Sequence, residues 1–242
     1  QKERRLINMF PGNKRKALTF SFDDGVTQDR RLIELFNKYN LKCTWNLNSL
    51  SLDLPGTISY DGHQATHNKV SVYEVRDLYK GHEIAVHTTY HPDLVKESDE
   101  SVVRNIEDDR IFLEKLSNYP IVGMAYPFGT YDDRVVNLIK SKTKIKYSRT
   151  IWATYNFDKQ DDLLRFRPTV HCMDFDNLNR LVDEFISLKP NEDKIFYIWG
   201  HAYEFDLYDA WDKFEDILKK LSGHEDIFYG TNKEILLNEN ND

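Results

Sequence analysis

An apolar run that begins near Leu18 ends in two adjacent carboxylates, Asp23 and Asp24, followed by Gly25. Neighbouring side chains of a strand point to opposite faces, so both carboxylates can face one site only if the strand ends there and the backbone turns, which glycine permits. The carboxyl end of a strand is where α/β proteins place catalytic and ligand-binding groups. We therefore interpret the pair as candidate functional residues; the alternative is a polar turn that caps the next helix.

Two histidines, His87 and His91, are separated by three residues and followed by Pro92. Proline disfavours helix in the residue before it, so these are not a plain helical pair, but a turn after a strand could bring both rings to one point. With Asp24 they would supply two nitrogens and one oxygen, a set that binds catalytic zinc and leaves positions open for water or substrate. The alternative is two surface histidines, because the motif is short.

Other histidine patterns are less well placed. His63 and His67 have the same spacing, but they lie in a long polar loop without a strand to fix them, and we interpret them as solvated or lid residues. His82, Glu83 and His87 resemble the zincin motif, but the second histidine comes one residue too late. Strand alternation also turns Glu83 to the opposite side from His82.

The segment Tyr126-Pro127-Phe128-Gly129 closes another predicted strand. Proline has no N–H, so the free donors of this turn come from Phe128 and Gly129, and one of them could stabilise a developing oxyanion. A simple strand-to-helix turn explains the same pattern equally well.

His201 follows the most hydrophobic predicted strand, directly after a glycine. A histidine at the carboxyl end of a barrel strand is a candidate general acid, and a hydrogen-bonded core histidine is the alternative. Glu204 could orient His201 or be exposed. Trp199 could form the wall of a small apolar pocket or belong to the core.

Apolar periodicity and capping residues predict strands that alternate with helices. The predicted strands are Lys16–Phe22, Cys43–Leu47, Glu83–Val86, Ile121–Tyr126, Lys146–Arg149, Phe166–Val170, Ile195–Trp199 and Ile227–Tyr229. The predicted helices run from Thr27 to about Tyr39, Ser71 to Lys80, Ser98 to about Leu116, Asp132 to Lys140, Asp176 to Leu188 and from after His201 to about Leu221, with a last one capped by Thr231 and Glu234. The segment Asn48–Val70 is predicted to be a long polar loop.

This alternation predicts a parallel sheet, and seven or eight such units favour a closed or nearly closed (β/α) barrel over an open sheet. No repeat, low-complexity tract or linker divides the chain, so we expect a single domain over residues 1–242. Because the carboxyl ends of parallel barrel strands share one face, the candidate residues that close four different strands are expected to converge on one site.

Composition excludes some classes of partner. The 242 residues include 40 acidic and 33 basic side chains, a net charge of −7 that argues against nucleic acid or an anionic membrane as the main partner. No apolar run approaches the roughly 18–20 residues of a membrane span, so we expect no transmembrane segment. Cys43 and Cys172 do not form a disulfide framework. Gln1 at the first position fits a processed precursor or a trimmed chain, and we expect export to the periplasm or cell surface rather than a cytoplasmic location.

On four motifs the sequence resembles the polysaccharide deacetylases, the NodB-homology domain of carbohydrate esterase family four. SFDDG (Ser21–Gly25) matches the first motif of that family and HTTYH (His87–His91) the second. AYPFG (Ala125–Gly129) is a variant of the third, and the hydrophobic strand that ends at His201 matches the fifth. The resemblance implies a distorted (β/α) barrel, usually with seven strands.

The resemblance also implies a reaction, the metal-dependent hydrolysis of an acetyl group on an amino sugar, with O-acetyl groups as a further substrate class. It implies one divalent metal ion, zinc first, with cobalt, nickel, manganese or iron as other options, and an acetylated oligo- or polysaccharide as substrate. The implied roles are Asp23 as general base, Asp24, His87 and His91 as metal ligands, the Phe128 backbone N–H as oxyanion donor and His201 as general acid. We expect Trp199, Tyr126 and Glu204 to contact the substrate.

Two features depart from the family pattern. Ala125 stands where the third motif normally has an arginine that tethers the base, and the fourth motif, Asp-x-x-Asp-Trp, is not recognisable. We predict that Arg149 supplies the missing guanidinium, with Arg167 as the second choice. These departures leave room for a catalytically silent carbohydrate-binding homologue. Two histidines and one carboxylate also serve non-haem iron oxygenases, which is a further alternative.

Overall fold

In the computed structural model, which describes residues 9–238, strands and helices alternate along the chain. The strands are β1 Lys16–Asp23, β2 Cys43–Leu47, β3 Thr57–Tyr60, β4 His63–Thr66, β5 Glu83–Val86, β6 Gly123–Ala125, β7 Tyr147–Arg149, β8 Val170–His171, β9 Lys194–Gly200 and β10 Ile227–Tyr229. The helices are α1 Asp29–Lys38, α2 Val75–Leu78, α3 Asp99–Ser117, α4 Asp133–Lys142, α5 Phe175–Ser187, α6 Tyr203–Leu207, α7 Trp211–Leu221 and α8 Asn232–Leu236. The expectation of a processed or trimmed chain concerns Gln1, which lies outside the described residues.

Eight of these strands form one curled, parallel sheet in the order β7-β6-β5-β2-β1-β9-β8, with β10 added to β1. The first half of β1 pairs with β10 and its second half pairs with β2. A parallel bridge from Arg149 to Phe166, just before β8, links the two ends of the sheet path. The predicted (β/α) barrel is therefore confirmed. Pro168 explains why the predicted strand Phe166–Val170 is reduced to this bridge and the two-residue β8, since proline cannot donate to a ladder.

Strand β1 is buried along its whole length and positions the site. Phe20 and Phe22 face outward and pack on Phe36 of α1, with ring centroids 4.8 and 6.0 Å away. The alternate residues face the barrel interior, where Ser21 and Asp23 both accept hydrogen bonds from the Asn46 side chain of β2, at 2.9 and 2.8 Å. The strand period thus carries a carboxylate into the interior at the carboxyl end of β1.

Several helix starts follow their predicted caps. Ser98, Asp132 and Thr231 each accept a hydrogen bond from a backbone N–H of the first turn of α3, α4 and α8. The prediction for Thr27 is wrong, because α1 begins at Asp29. The prediction for Ser71 is also wrong: its hydroxyl accepts from Tyr73 N–H instead, and only the short α2 follows.

Two further predictions of secondary structure are wrong. The helix predicted up to Leu221 is two helices, α6 and α7. The segment Asn48–Val70, predicted to be a long loop, contains the antiparallel hairpin β3–β4, with Thr57 opposite Thr66. Among residues 9–238, no helix has the combination of length and apolar character that crossing a membrane requires.

Candidate active site

A cavity of about 570 Å³ opens at the carboxyl ends of the parallel strands. Asp23 and Asp24 reach it from β1, and His87 and His91 from the turn after β5. Phe128, which follows β6, and His201, which follows β9, also line it, as do Tyr126 and Trp199, which are expected to contact the substrate. Residues spread over nearly the whole sequence therefore meet at one mouth of the barrel, as parallel topology requires.

Three side chains in this cavity present metal-binding atoms to one another. The Nε2 atoms of His87 and His91 lie 3.6 and 3.8 Å from Asp24 Oδ1, and the three donor atoms are mutually within 4.8 Å. Ligands bound to zinc at its usual bond lengths lie about 3.4 Å apart. Asp24 Oδ1 is buried and has no hydrogen-bond partner within residues 9–238. Two imidazole nitrogens around an unpaired carboxylate oxygen fit a divalent metal ion.

The tautomer of His87 is determined by its neighbours. Its Nδ1 lies 2.8 Å from the carbonyl oxygen of Ala125, which can only accept, so Nδ1 carries the proton and the Nε2 lone pair faces Asp24. Burial lowers the pKa of His87 to about 4, which keeps the ring neutral at pH 7. Asp109 of α3 accepts from the backbone N–H groups of His87, at 3.2 Å, and Ser49, at 2.7 Å.

Asp109 is a residue that the sequence reasoning missed. It lies on the buried face of α3, where Val102, Ile106 and Leu113 are also fully buried. The signal was an acidic residue at helical spacing within an apolar stripe. Burial raises the pKa of Asp109 to about 7.

The turns around the site adopt unusual backbone conformations. Asp24, Thr88, His91 and Phe128 have φ values of 81°, 68°, 66° and 59°. Such left-handed residues typically cost about 1–3 kcal/mol each and are found where a functional site must be held in place. Here they redirect the chain after each strand, so that the His91 ring packs edge-on against His87, with centroids 4.7 Å apart.

Asp23 is held by a buried guanidinium. Arg149 Nη1 and Nη2 donate to the two oxygens of Asp23, at 3.0 and 2.6 Å, and Asn46 Nδ2 donates at 2.8 Å. Burial opposes ionisation of Asp23, but the charge and hydrogen bonds of Arg149, together with the nearby His87 and His201, outweigh it, and the pKa of Asp23 is lowered. Arg167 instead donates to the carbonyl oxygens of Trp152 and Ala153. Of the two predicted arginines, Arg149 is thus the one that lies at Asp23.

His201 faces Asp23 on one side and Glu204 on the other. Its Nε2 lies 3.9 Å from Asp23 Oδ2, and its Nδ1 lies 3.2 Å from Glu204 Oε2. Burial opposes protonation of His201, but the charge and hydrogen bond of Glu204 outweigh it and raise the pKa to about 9. His171, which the sequence reasoning also missed, contacts the same Glu204 oxygen at 3.2 Å. Glu204 therefore lies behind His201 and not in the cavity wall, which corrects the expectation that it contacts substrate.

The turn at Phe128 leaves one backbone donor for a ligand. Gly129 N–H is used within the turn, where it donates to Tyr126 O at 2.9 Å. Phe128 is exposed, and its ring packs edge-on against His91, with centroids 4.5 Å apart. Two other aromatic residues of the cavity are also held in place. Tyr126 donates a 2.7 Å hydrogen bond from its hydroxyl to Leu164 O. The Trp199 ring packs against the Arg149 guanidinium, which lies 4.4 Å above it.

The loop histidines differ from each other. His67 lines the cavity, and its Nε2 lies 3.1 Å from Asp24 Oδ2. The interpretation of His67 as a solvated or lid residue is therefore wrong, because the hairpin fixes the segment that carries it. His63 is exposed and packs on the Tyr208 ring. Burial opposes ionisation of Asp24. The hydrogen bond from His67 and the charge of Lys69 nevertheless hold the pKa of Asp24 well below its usual range.

His82 and Glu83 of the zincin-like pattern do not line this cavity, and their side chains point to opposite sides as predicted. His82 Nδ1 accepts from Cys43 N–H at 3.2 Å. Glu83 points to the other side and accepts hydrogen bonds from Thr44 Oγ1, at 2.6 Å, and from the Tyr147 hydroxyl. The two cysteines, Cys43 and Cys172, are buried and unpaired.

Several solved structures share this fold, and three of them cover about nine tenths of this chain. Peptidoglycan deacetylase PdaC from Bacillus subtilis aligns at 18% identity over 91% of this chain and 89% of its own, with a TM-score of 0.55. The family 4 carbohydrate esterase from Streptomyces lividans, in complex with acetate, aligns at 13% identity over 90% and 92%, with a TM-score of 0.56. BA3943, a carbohydrate esterase family 4 pseudoenzyme from Bacillus anthracis, aligns at 17% identity over 92% and 66%, with a TM-score of 0.54.

Some other matches are partial. Three further deacetylase structures align with 61% of this chain and only 44–62% of their own length. No curated protein matches the chain significantly in sequence. The family model described as polysaccharide deacetylase matches residues 11–146, more than half of the 242-residue chain. The match includes the first three motifs of the site, and this protein therefore belongs to the polysaccharide deacetylase family.

Proposed function

We propose that this protein is a metal-dependent hydrolase that removes acetyl groups from N-acetylated carbohydrate. The observation that carries the proposal is the unpaired Asp24 Oδ1 facing the Nε2 atoms of His87 and His91, with Asp23 and His201 beside them. A divalent cation bound there, zinc first, would polarise the acetyl carbonyl and lower the pKa of a water molecule. Asp24, His87 and His91 would hold it.

Asp23 acts as the general base. It is ionised because Arg149 lowers its pKa, and both of its oxygens are already oriented by hydrogen bonds. It takes a proton from the water whose oxygen adds to the acetyl carbonyl carbon. The Phe128 N–H donates to the carbonyl oxygen as negative charge develops on it.

His201 acts as the general acid. The contact between its Nδ1 and Glu204 keeps the ring protonated and turns Nε2 toward Asp23. As the C–N bond breaks, the proton on Nε2 passes to the leaving nitrogen, and the products are an amino sugar and acetate. Arg149 stays paired with Asp23 throughout and positions it.

The cavity lining and the similar structures support a carbohydrate substrate. Aromatic side chains of Tyr126, Phe128 and Trp199 line the cavity, and such walls together with a few polar groups suit a sugar ring. One similar structure is a peptidoglycan deacetylase. A cell-wall or capsular glycan is accordingly the first substrate to test, which agrees with the proposed export to the periplasm or cell surface.

The test is acetate release from a panel of N- and O-acetylated glycans, with and without a chelator. We expect release from at least one N-acetylated oligosaccharide, loss of release with chelator, and recovery on adding zinc. Asp23→Asn is the matched inactive control, because it removes the base and keeps the shape. Acetate release that persists at full rate in Asp23→Asn would refute the assigned role.

A catalytically silent carbohydrate-binding protein is the second candidate. It is favoured by Ala125 at the position of the missing arginine and by the likeness in fold to a pseudoenzyme. Glycan binding without acetate release, with metal present, would support it. Iron oxygenases need iron(II) and oxygen. Activity with zinc under anaerobic conditions would therefore exclude the iron oxygenase alternative.

A further inference from the structure

We propose that His67 is a positioning residue that holds Asp24 in the orientation needed to bind a metal ion. The inference rests on the proposed metal site. His67 belongs to the segment just after β4 and lies 43 positions from Asp24 in the sequence.

The two oxygens of Asp24 have different surroundings. Oδ2 lies 3.1 Å from His67 Nε2, whereas Oδ1 faces His87 and His91 and has no hydrogen-bond partner within residues 9–238. An ionised carboxylate can only accept, so the His67 imidazole is the donor. With Oδ2 occupied in this way, the carboxylate cannot rotate freely and presents one oxygen to the other two ligands.

The backbone around His67 is fixed to the turn that carries Asp24. Thr27 N–H donates to Asn68 O at 2.8 Å, and Val70 N–H donates to Gly25 O at 2.9 Å. Lys69 Nζ donates to the carbonyl oxygen of Asp24, at 2.8 Å. The three residues that directly follow His67 are therefore joined to the turn that carries Asp24.

Backbone and ring of His67 are each held in place. The backbone N–H of His67 donates to Gly56 O at 2.8 Å, and the Tyr203 ring packs edge-on against the imidazole, with centroids 5.0 Å apart. His67 is half-buried at the cavity wall, so its position is set by packing as well as by the hydrogen bond.

The geometry distinguishes positioning from direct ligation. The donor atoms of His87 and His91 converge with Asp24 Oδ1, while His67 contacts the opposite oxygen. Partners of this kind that orient a metal ligand typically contribute about 10–100-fold to metal affinity. We expect His67 to contribute within that range.

The experiment measures zinc affinity of the metal-free protein by competition with a chromophoric chelator. His67→Ala is expected to weaken binding about 10–100-fold. His67→Gln places an amide N–H near the position of Nε2 and is expected to restore most of the affinity. His67→Asn is too short to reach Oδ2 and is expected to bind as weakly as alanine. His63→Ala, four residues earlier at the start of β4, is the matched control and should bind like the parent protein.

Each outcome has a defined meaning. Parent-like affinity in both His67→Ala and His67→Asn would overturn the inference. Equal loss in glutamine and alanine variants, with unchanged thermal unfolding of the metal-free proteins, would show direct ligation and also overturn it. If the parent protein binds no zinc, or Asp24→Ala binds it as tightly, the proposed function fails instead.

Discussion

Arg149 and Asp23 meet inside the barrel through two hydrogen bonds of 3.0 and 2.6 Å, and both side chains are buried. Arg149 ends β7, the first strand of the sheet path, and Asp23 ends β1, the fifth. The pair therefore spans the barrel interior and does not link neighbouring strands. Its fork geometry orients both carboxylate oxygens, which a single point charge does not do.

Replacing Arg149 tests this tether. Arg149→Lys keeps the charge but loses the two-pronged geometry, so we expect kcat to fall about 10²-fold, the lower range for a displaced general base. The acidic limb of the pH profile should move to higher pH, because Asp23 loses part of the Arg149 hydrogen bonding that lowers its pKa. Steady-state kinetics from pH 4 to 8 measures both effects. Unchanged kcat and an unchanged acidic limb would remove Arg149 from the mechanism.

The pH dependence of the parent protein is expected to be bell-shaped. Activity needs ionised Asp23, whose pKa is lowered, so it should persist down to mildly acidic pH. It also needs protonated His201, whose pKa is raised to about 9, so activity should fall as pH rises toward that value. A bound cation adds positive charge and shifts both limbs to lower pH. A profile of kcat/KM that keeps rising beyond pH 9 would contradict the assignment of His201 as acid.

Glu204 is expected to set the basic limb. Glu204→Gln removes the negative charge that raises the pKa of His201, while the amide keeps the size of the side chain. The basic limb should therefore move to lower pH, with metal affinity unchanged because Glu204 lies behind His201. The measurement is the pH profile of the variant beside its zinc titration. An unmoved basic limb would show that Glu204 is structural only.

Gly200 is expected to tolerate no side chain. A Cβ at this position would lie 2.1 Å from Cys172 Sγ and 3.3 Å from Glu204 Oε2. Gly200→Ala should therefore lower the free energy of unfolding by about 1–3 kcal/mol, the usual cost of overpacking. Adding Cys172→Ala removes the closest atom and should recover part of the loss. Chemical denaturation of both variants tests this, and a Gly200→Ala protein as stable as the parent would contradict the packing.

The sequence was sufficient for most strands of the parallel sheet and for the functional residues at their carboxyl ends. Long apolar runs such as the one before Asp23 mark buried strands, and parallel topology brings their carboxyl ends together wherever those strands lie in the sequence. Asp24, His87 and His91 could for this reason be assigned to one place from local patterns. Arg149 could be proposed only because the family pattern was missing a guanidinium at Ala125.

The rest depended on packing between distant segments. His63 and His67 lie in the same predicted polar loop, and only the docking of residues 67–70 on the Asp24 turn separates their environments. The hairpin was missed because its strands are mostly exposed and lack an apolar alternation. Ser71 failed as a cap because its hydroxyl forms a local turn hydrogen bond, a competition that propensity alone does not resolve.

The most direct test of the account is the metal content of two variants that differ by one position. Asp23→Asn and Asp24→Ala are loaded with zinc, dialysed and assayed by elemental analysis, with the parent protein alongside. We predict that Asp23→Asn retains a single zinc ion and loses turnover, whereas Asp24→Ala loses the ion. Stoichiometric zinc and full activity in Asp24→Ala would contradict the proposal that this carboxylate and the two histidines form the metal site.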